Sequence, residues 1–434
     1  MNSIKFRNFR GLNKTIGLVG IISLFIQIFL FQCADRNRTN IFDPSSGIDS
    51  LDIILYITTA DSVITVRWTP PAIVQYTGYN LYRKTNNQGE FQLIAALPPG
   101  QTEFMDVNVS YDINYQYYIK IQGEESESPP SRILKVTPGP VAFYMLDRWN
   151  YSIYKLSYDL EQILFTRYTN WSPENLAFDS SEDLVLVTYP QLSYFEIFSR
   201  KTGLTELSST KLAKPYDGIY NSEQSNFWIT DSSGYLYSIN PVTGTSKIID
   251  QNLDQPTQIR QSKLGIFVMD TKGALINQYD YSGVLLNTVK KMGTTYLVQP
   301  ISFSVKDNSA NIYIIDRIND ENRILYQYSI LTDSVKIVCQ KNFMNIVRTD
   351  PQDNSIWIAI NNSNNDSLMQ LSPDGIRLNE VTGFSGITDF ILIRESNTIA
   401  VTDYVQHNVK HIRKDASVIG VFEEAIYPSK VYSE

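Results

Sequence analysis

The sequence predicts an all-β chain, and three observations predict it. Tyr, Phe and Trp make up 12% of the 434 residues and stand among abundant Ile and Val, a composition that favours strands. After residue 50 no stretch keeps a helical period, and clusters of Gly, Pro, Asn, Asp and Ser break the chain about every eight to twelve residues. One phrase also recurs. NFWITDSSGYLYSINPVTG (226–244), IFVMDTKGALINQYDYSG (266–283) and NIYIIDRINDENRILYQYSILTD (311–333) each read as strand, turn, strand, turn. A chain of this length outgrows one ordinary core and calls for two or three domains.

Residues 1–32 hold Lys5, Arg7, Arg10 and Lys14, no acid, and an apolar run from Ile16 to Phe31. A basic start and an apolar run shorter than the roughly 20 residues of a bilayer span predict an export signal. Leu30-Phe31-Gln32-Cys33 resembles the lipobox of bacterial lipoproteins, in which Leu precedes the acylated Cys by three; Gln32 departs from the small residue that family prefers there. The resemblance implies lipidation at Cys33 and a lipid-anchored place in the bacterial cell envelope, at the outer membrane. Residues 33–51 are polar and predict a flexible tether, and their NIFDPSS resembles a segment found just after the acylated Cys of surface lipoproteins. Without the leader, 33 Lys and Arg face 45 Asp and Glu, a balance that repels phosphate backbones, so no nucleic-acid partner is expected. Cys339 then stands alone in the apolar VKIVCQ (335–340) and is expected to be a small core hydrophobe.

Residues 52–138 change rhythm. VITVRW (63–68), GYNLYRK (78–84), FQLIAAL (91–97), NYQYYIKI (114–121) and SRILKV (131–136) predict short strands between Pro and Gly turns. The stretch resembles a fibronectin type III module. Trp68 fits that family's core Trp, and Tyr115 its tyrosine corner, with Tyr117, Ile119 and Ile121 alternating after it. The resemblance implies a β-sandwich that spaces or adheres.

From residue 140 to 434 the recurring phrase takes over. An apolar strand ends on Asp147, Asp231, Asp270, Asp316 and Asp403, and the same slot holds Tyr189 and Ile360. The steps between these seven positions are 42, 42, 39, 46, 44 and 43 residues. A period in the forties with about four strands per repeat predicts a seven-bladed β-propeller. The first repeat lacks its opening strand, because Pro140-Val141 runs straight into AFYMLD, and Tyr427–Tyr432 reads as the missing piece. A final strand donated to the first blade removes the open edge. The repeats resemble the broad NHL-like or YVTN-like group, whose NPVTG and SPDG turns recur whatever its members bind.

Chemistry is sparse. His407 and His411 are the only histidines, and their spacing crosses a turn into a strand with no third ligand nearby, so no metal is expected. No Ser-His-Asp set or zinc site assembles, and no cofactor is implied. A lactonase or lyase with a cation held near the axis by residues such as Asp217, Asp316 and Asn361 is the enzymatic alternative. The strand-end Asp residues are expected to accept hydrogen bonds from turn backbone.

The links between repeats and the turns after the Asp strands are expected on one face. The links carry Trp171, Tyr216, Tyr296, Phe343, Phe384 and Tyr427; the turns carry Arg148, Trp149 and Arg317, with amides at Asn150, Asn319, Asn362, Asn364 and Asn365. Such aromatics commonly plug between blades. The functional reading makes them platforms for a sugar or an extended peptide, with amide and guanidinium partners. The sequence thus predicts a non-catalytic envelope lipoprotein that binds a polysaccharide or protein ligand on the loop face, with an architectural envelope component as a further alternative.

Overall fold

The computed structural model describes residues 41–42, 51, 53–60, 63–72, 75–86, 89–179, 183–209, 212–306, 310–362 and 365–433. The expected leader, Cys33 and Asn364 lie outside the described residues, as does most of the expected tether. The described chain is all-β; its one helical turn is a 3-10 turn at Pro190–Leu192, and no helix is long and apolar enough to cross a membrane. Two compact units are present. One takes described residues from 41–56, 67–104 and 116–134; the other takes 57–66, 105–115 and 135 onward.

Before residue 138 the strands form two sheets. Val63–Trp68 lies between Leu55–Ala60 and Glu103–Asp106, two strands that the turn pattern did not announce. Gly78–Thr85 and Tyr115–Gln122 form the centre of the other sheet, flanked by Gln92–Leu97 and Leu134–Val136. Trp68 is buried edge-on against Tyr79, ring centres 5.3 Å apart. Tyr117, Ile119 and Ile121 are buried with Tyr118 and Lys120 half-buried between them, the two-residue period of a strand with one covered face. The Tyr115 hydroxyl accepts a hydrogen bond from the Ser110 amide at 2.9 Å.

The second unit contains seven four-stranded antiparallel sheets. Six are continuous in sequence, beginning at Asn175, Pro215, Pro256, Pro300, Met344 and Ile387. The first is assembled from two distant pieces. Phe143–Asp147, Ser152–Leu156 and Ile163–Tyr168 are completed by Pro428–Ser433, with Val431 opposite Met145 and Tyr432 opposite Tyr144. The second strand of each sheet is buried on both faces, as in Phe143–Asp147 and Thr398–Asp403, which explains why these segments read as unbroken apolar runs. The fourth strand Ser246–Asp250 is largely exposed.

Each sheet buries its faces against the next. Phe143 and Val431 of the first sheet share a core with Ala400 and Val409 of the seventh. The opening strands are also stitched by hydrogen bonds from one sheet to its neighbour. Asn175 donates to Asp217, Asp217 accepts from the Ile259 amide at 3.1 Å, and Gln258 donates to the Ile301 carbonyl at 3.1 Å. The Val347 amide donates to Ser302 at 3.2 Å, Arg348 to Asp389 at 2.9 Å, and Thr388 to the Pro428 carbonyl at 2.7 Å. The run returns to its start when Tyr432 accepts from the Leu176 amide at 3.0 Å and donates to Asn175.

Six of the seven opening strands carry a bulge just after their first residue, for example between Pro256 and Gln258 and between Pro428 and Lys430. A bulge resets which side chains face which way.

Candidate binding face and cavity

The strand-end Asp residues build the face on which the links and turns meet. Asp147 accepts from the amides of Trp149 and Asn150 in its own turn, each at 3.0 Å, and from those of Ile426 and Tyr427 in the incoming link at 2.7 and 3.1 Å. Asp270 does the same with Gly273 on one side and Asp254 and Gln255 on the other; Asp403 does it with Val405 and Gln406 and with Ser385. One carboxylate therefore clamps a turn to a link, and turns and links share a face. Where Ile360 replaces the acid, Asp366 supplies it from across the turn, accepting from the amides of Asn362 and Ile387.

The aromatics divide on this face. Trp149 is 71% exposed and Trp171 41% exposed. Trp171 lies parallel to Tyr151, ring centres 5.8 Å apart and planes 10° apart, and Thr169 ties the pair, its amide donating to the Tyr151 carbonyl and its hydroxyl to the Trp171 carbonyl, both at 2.7 Å. Tyr427 packs on Tyr404 at 5.1 Å. The Arg148 amide donates to the Tyr427 carbonyl at 3.0 Å, so Tyr404, Tyr427, Trp149, Tyr151 and Trp171 follow one another from the turn of the seventh sheet to the link that leaves the first. Two ring pairs, with the exposed Trp149 between them along the chain, thus make an aromatic ridge in this order. Tyr296 is exposed but stands apart on a short hairpin with Lys291 over its ring.

Other expected platform residues go elsewhere. Phe384 is 3% exposed and packs with Trp357, Val381 and Phe390; as a surface platform it is corrected to a core residue, because its strand runs on to pair it with Asp366. Phe343, half-buried, forms a one-residue link with φ +59°, its amide bound to the Glu321 carbonyl. Tyr216 turns into a cavity beside Glu174. Burial first, and then the Glu174 charge, pushes its phenol well above the ordinary tyrosine range. Arg148 is tied to Glu174, and Arg317 donates to Gln299 at 2.9 Å.

That cavity, about 530 Å³, is lined by the opening strands. Glu174, Tyr216, Thr257 and Ile301 stand at strand starts and Thr271 in a turn, so its mouth opens on the same face as the ridge. Deeper lie side chains that the sequence reading did not single out. Arg260 donates to Asp217 at 2.9 Å, Arg348 donates to Asp389 at 2.9 Å, and Lys430 lines the same space with no hydrogen-bond or ion-pair partner among the described residues. Burial first of all, and then the neighbouring Arg260 charge, holds the Arg348 guanidinium below its usual range, while Asp389 opposes that effect. A signal was present: charges occupy the third or fifth place of the opening strands, at Asp217, Asp389, Lys430, Arg260 and Arg348.

The expected axial trio does not assemble. Asp217 lies in the cavity, Asp316 clamps the amides of Val298 and Gln299, and Asn361 donates to the Ile387 carbonyl. Among the described residues no three of His, Cys, Asp or Glu gather at metal-ligand spacing. His407 is an exposed turn residue with φ +56°. His411 is buried between the seventh and first sheets, its Nδ1 donating to the Tyr158 carbonyl and its Nε2 accepting from Thr398, both at 2.7 Å. Burial lowers its pKa to about 4. Cys339 is half-buried beside Met344, and burial pushes its thiol up to about 11.

No protein-family model matches this chain, and no curated protein matches it. Its fold has counterparts among solved structures. A functionally unknown protein from Desulfotomaculum acetoxidans DSM 771 aligns over 67% of this chain and 98% of its own, at 9% identity and a TM-score of 0.54. Kuenenia stuttgartiensis hydrazine synthase aligns over 69% and 93%, at 9% identity and a TM-score of 0.53. At that identity the likeness is one of fold alone.

Proposed function

We propose that this protein is an exported, non-catalytic binding module of the bacterial cell envelope, lipid-anchored through Cys33. In this reading a fibronectin type III-like sandwich at 52–138 precedes a seven-bladed β-propeller at 140–434, sealed by the strand Pro428–Ser433. The hydrogen bonds that pass through seven opening strands and return to the first support the propeller. The Ser110 amide on the Tyr115 hydroxyl supports the fibronectin-like part, since a tyrosine corner makes that bond.

The observation that carries the function is the ridge from Tyr404 to Trp171. Exposed aromatic pairs held by backbone clamps present flat apolar faces at little ordering cost, because the scaffold fixes them before a ligand arrives. Of the two ligand classes, polysaccharide or protein, stacked ring faces suit the polysaccharide better, since sugar rings offer matching apolar faces.

The test is a glycan array probed with the full chain and with Trp149→Ala and Trp171→Ala. Each variant is expected to lose at least tenfold in apparent affinity for the glycans bound by wild type, at unchanged melting temperature. Wild-type affinity in both variants would remove the ridge from the account. Cys33→Ser is expected to abolish incorporation of labelled fatty acid; retained label would end the lipoprotein reading.

A further inference from the structure

We propose that the cavity among the opening strands is a site for a small hydroxylated organic carboxylate, of the size and chemistry of a sugar acid. None of the cavity's own cations belongs to the ridge, so this site stands apart from the surface reading above.

The charge balance comes first. Three acids, Glu174, Asp217 and Asp389, face three cations, Arg260, Arg348 and Lys430. Glu174 is already paired with Arg148 from outside the cavity, and each Arg is paired with one Asp, so the ammonium of Lys430 is left uncompensated. The pairing is also incomplete in geometry. Arg260 uses one terminal nitrogen, on Asp217 and its neighbouring Ile259 carbonyl, leaving Nη2 and Nε without protein partners. Arg348 uses both terminal nitrogens, on Asp389 and the Val347 carbonyl, leaving Nε. Burial lowers the affinity of Arg348 for its proton, repulsion from the Arg260 guanidinium across a confined space lowers it further, and Asp389 and Asp217 oppose both. One negative charge placed among them relieves that repulsion and supplies an acceptor to donors otherwise met only by water.

The walls decide what kind of anion. Leu176, Ile301, Ile391 and Val431 contribute apolar surface that a bare inorganic ion would leave unused. Near the mouth the hydroxyls of Thr257 and Thr271 bond each other at 2.7 Å, so one of the two hydrogens remains to be donated outward. An organic body with hydroxyls and a single carboxylate fits this lining, and a cavity of about 530 Å³ falls in the usual range of roughly 300–1,000 Å³ for small-molecule sites.

The test is calorimetric titration of the full chain with D-glucuronate, with D-glucose as its neutral match, with inorganic phosphate, and with a tetrasaccharide ending in glucuronate. Glucuronate is expected to bind with a Kd below about 1 mM. Glucose and phosphate are expected to bind at least tenfold more weakly. Lys430→Gln is expected to weaken glucuronate binding at least tenfold, and Leu331→Ala, at an exposed turn outside both the cavity and the ridge, to leave it unchanged. The tighter of free glucuronate and the tetrasaccharide identifies the source of the carboxylate. Equal binding of glucose, equal binding of phosphate, no heat with either uronate, or wild-type affinity in a folded Lys430→Gln would each overturn the proposal. If Lys430→Gln does not fold, the comparison of glucuronate with glucose on the wild type still decides.

Discussion

The first and seventh sheets use the same clamp over very different stretches of chain. In the seventh, Asp403 joins its turn to Ser385, 18 residues away. In the first, Asp147 joins its turn to Ile426 and Tyr427, 279 and 280 residues away. The contacts are alike, but the loops they close are not. Loop-closure entropy grows only slowly with length, so a local device can be reused at long range provided the rest of the structure has already brought the ends together. In this chain the six intervening sheets do that, each stacking on the one before it.

Four experiments break or sharpen this comparison. The largest effect is expected from removing residues 427–434. The loss includes the buried Val431, worth about 2 kcal/mol, and ladder bonds worth about 1 kcal/mol each, so the second unit should lose on the order of 5 kcal/mol in urea unfolding. An unchanged midpoint would show that the first sheet does not depend on its distant strand.

Next comes acid. His411 holds the same seam from inside, and its folded pKa of about 4 lies below the ordinary 6.5. The unfolded chain therefore takes up a proton that the folded one refuses, and the contribution is full above about pH 6.5 and fades as pH falls toward 4. Wild type should lose roughly 2–3 kcal/mol across that window, and His411→Gln should flatten the dependence. Identical pH profiles would exclude His411 as the source.

Asp147→Ala and Asp403→Ala each strand backbone donors and should cost about 1–3 kcal/mol. The two losses are expected to agree within about 1 kcal/mol. A much larger loss for Asp147→Ala in chemical denaturation would mean that the distant strand detaches when its clamp is cut. Smallest of all, Trp149→Ala and Trp171→Ala should change stability by no more than about 0.5 kcal/mol, since neither side chain is buried.

Much of this organisation was legible in the sequence. The apolar strands ending in Asp, their spacing, and the orphaned strand near residue 430 announced the seven sheets, because second strands covered on both faces must be apolar throughout. The Asp residues were legible as turn acceptors. Their second role, reaching back to the link, was not, because it depends on tertiary position. The cavity was the least legible part. Its residues come from opening strands some forty positions apart, and the bulges after Pro215, Pro256, Pro300, Met344, Ile387 and Pro428 shift the alternation that would say which side chain points inward. Phe384 and Trp171 occupy comparable links, yet one is buried and the other exposed, because the strand before Phe384 stays paired to its last residue whereas the strand before Trp171 ends at Tyr168.

The late arrival of Pro428–Ser433 bears on quality control. A ribosome that stalls before residue 428, or a protease that trims past it, yields a molecule whose other sheets are intact while the backbone of Phe143–Asp147 stands bare along one side. A bare ladder recruits strands from other molecules. Damage to this small segment would therefore show itself as clumping rather than as a quiet loss of function.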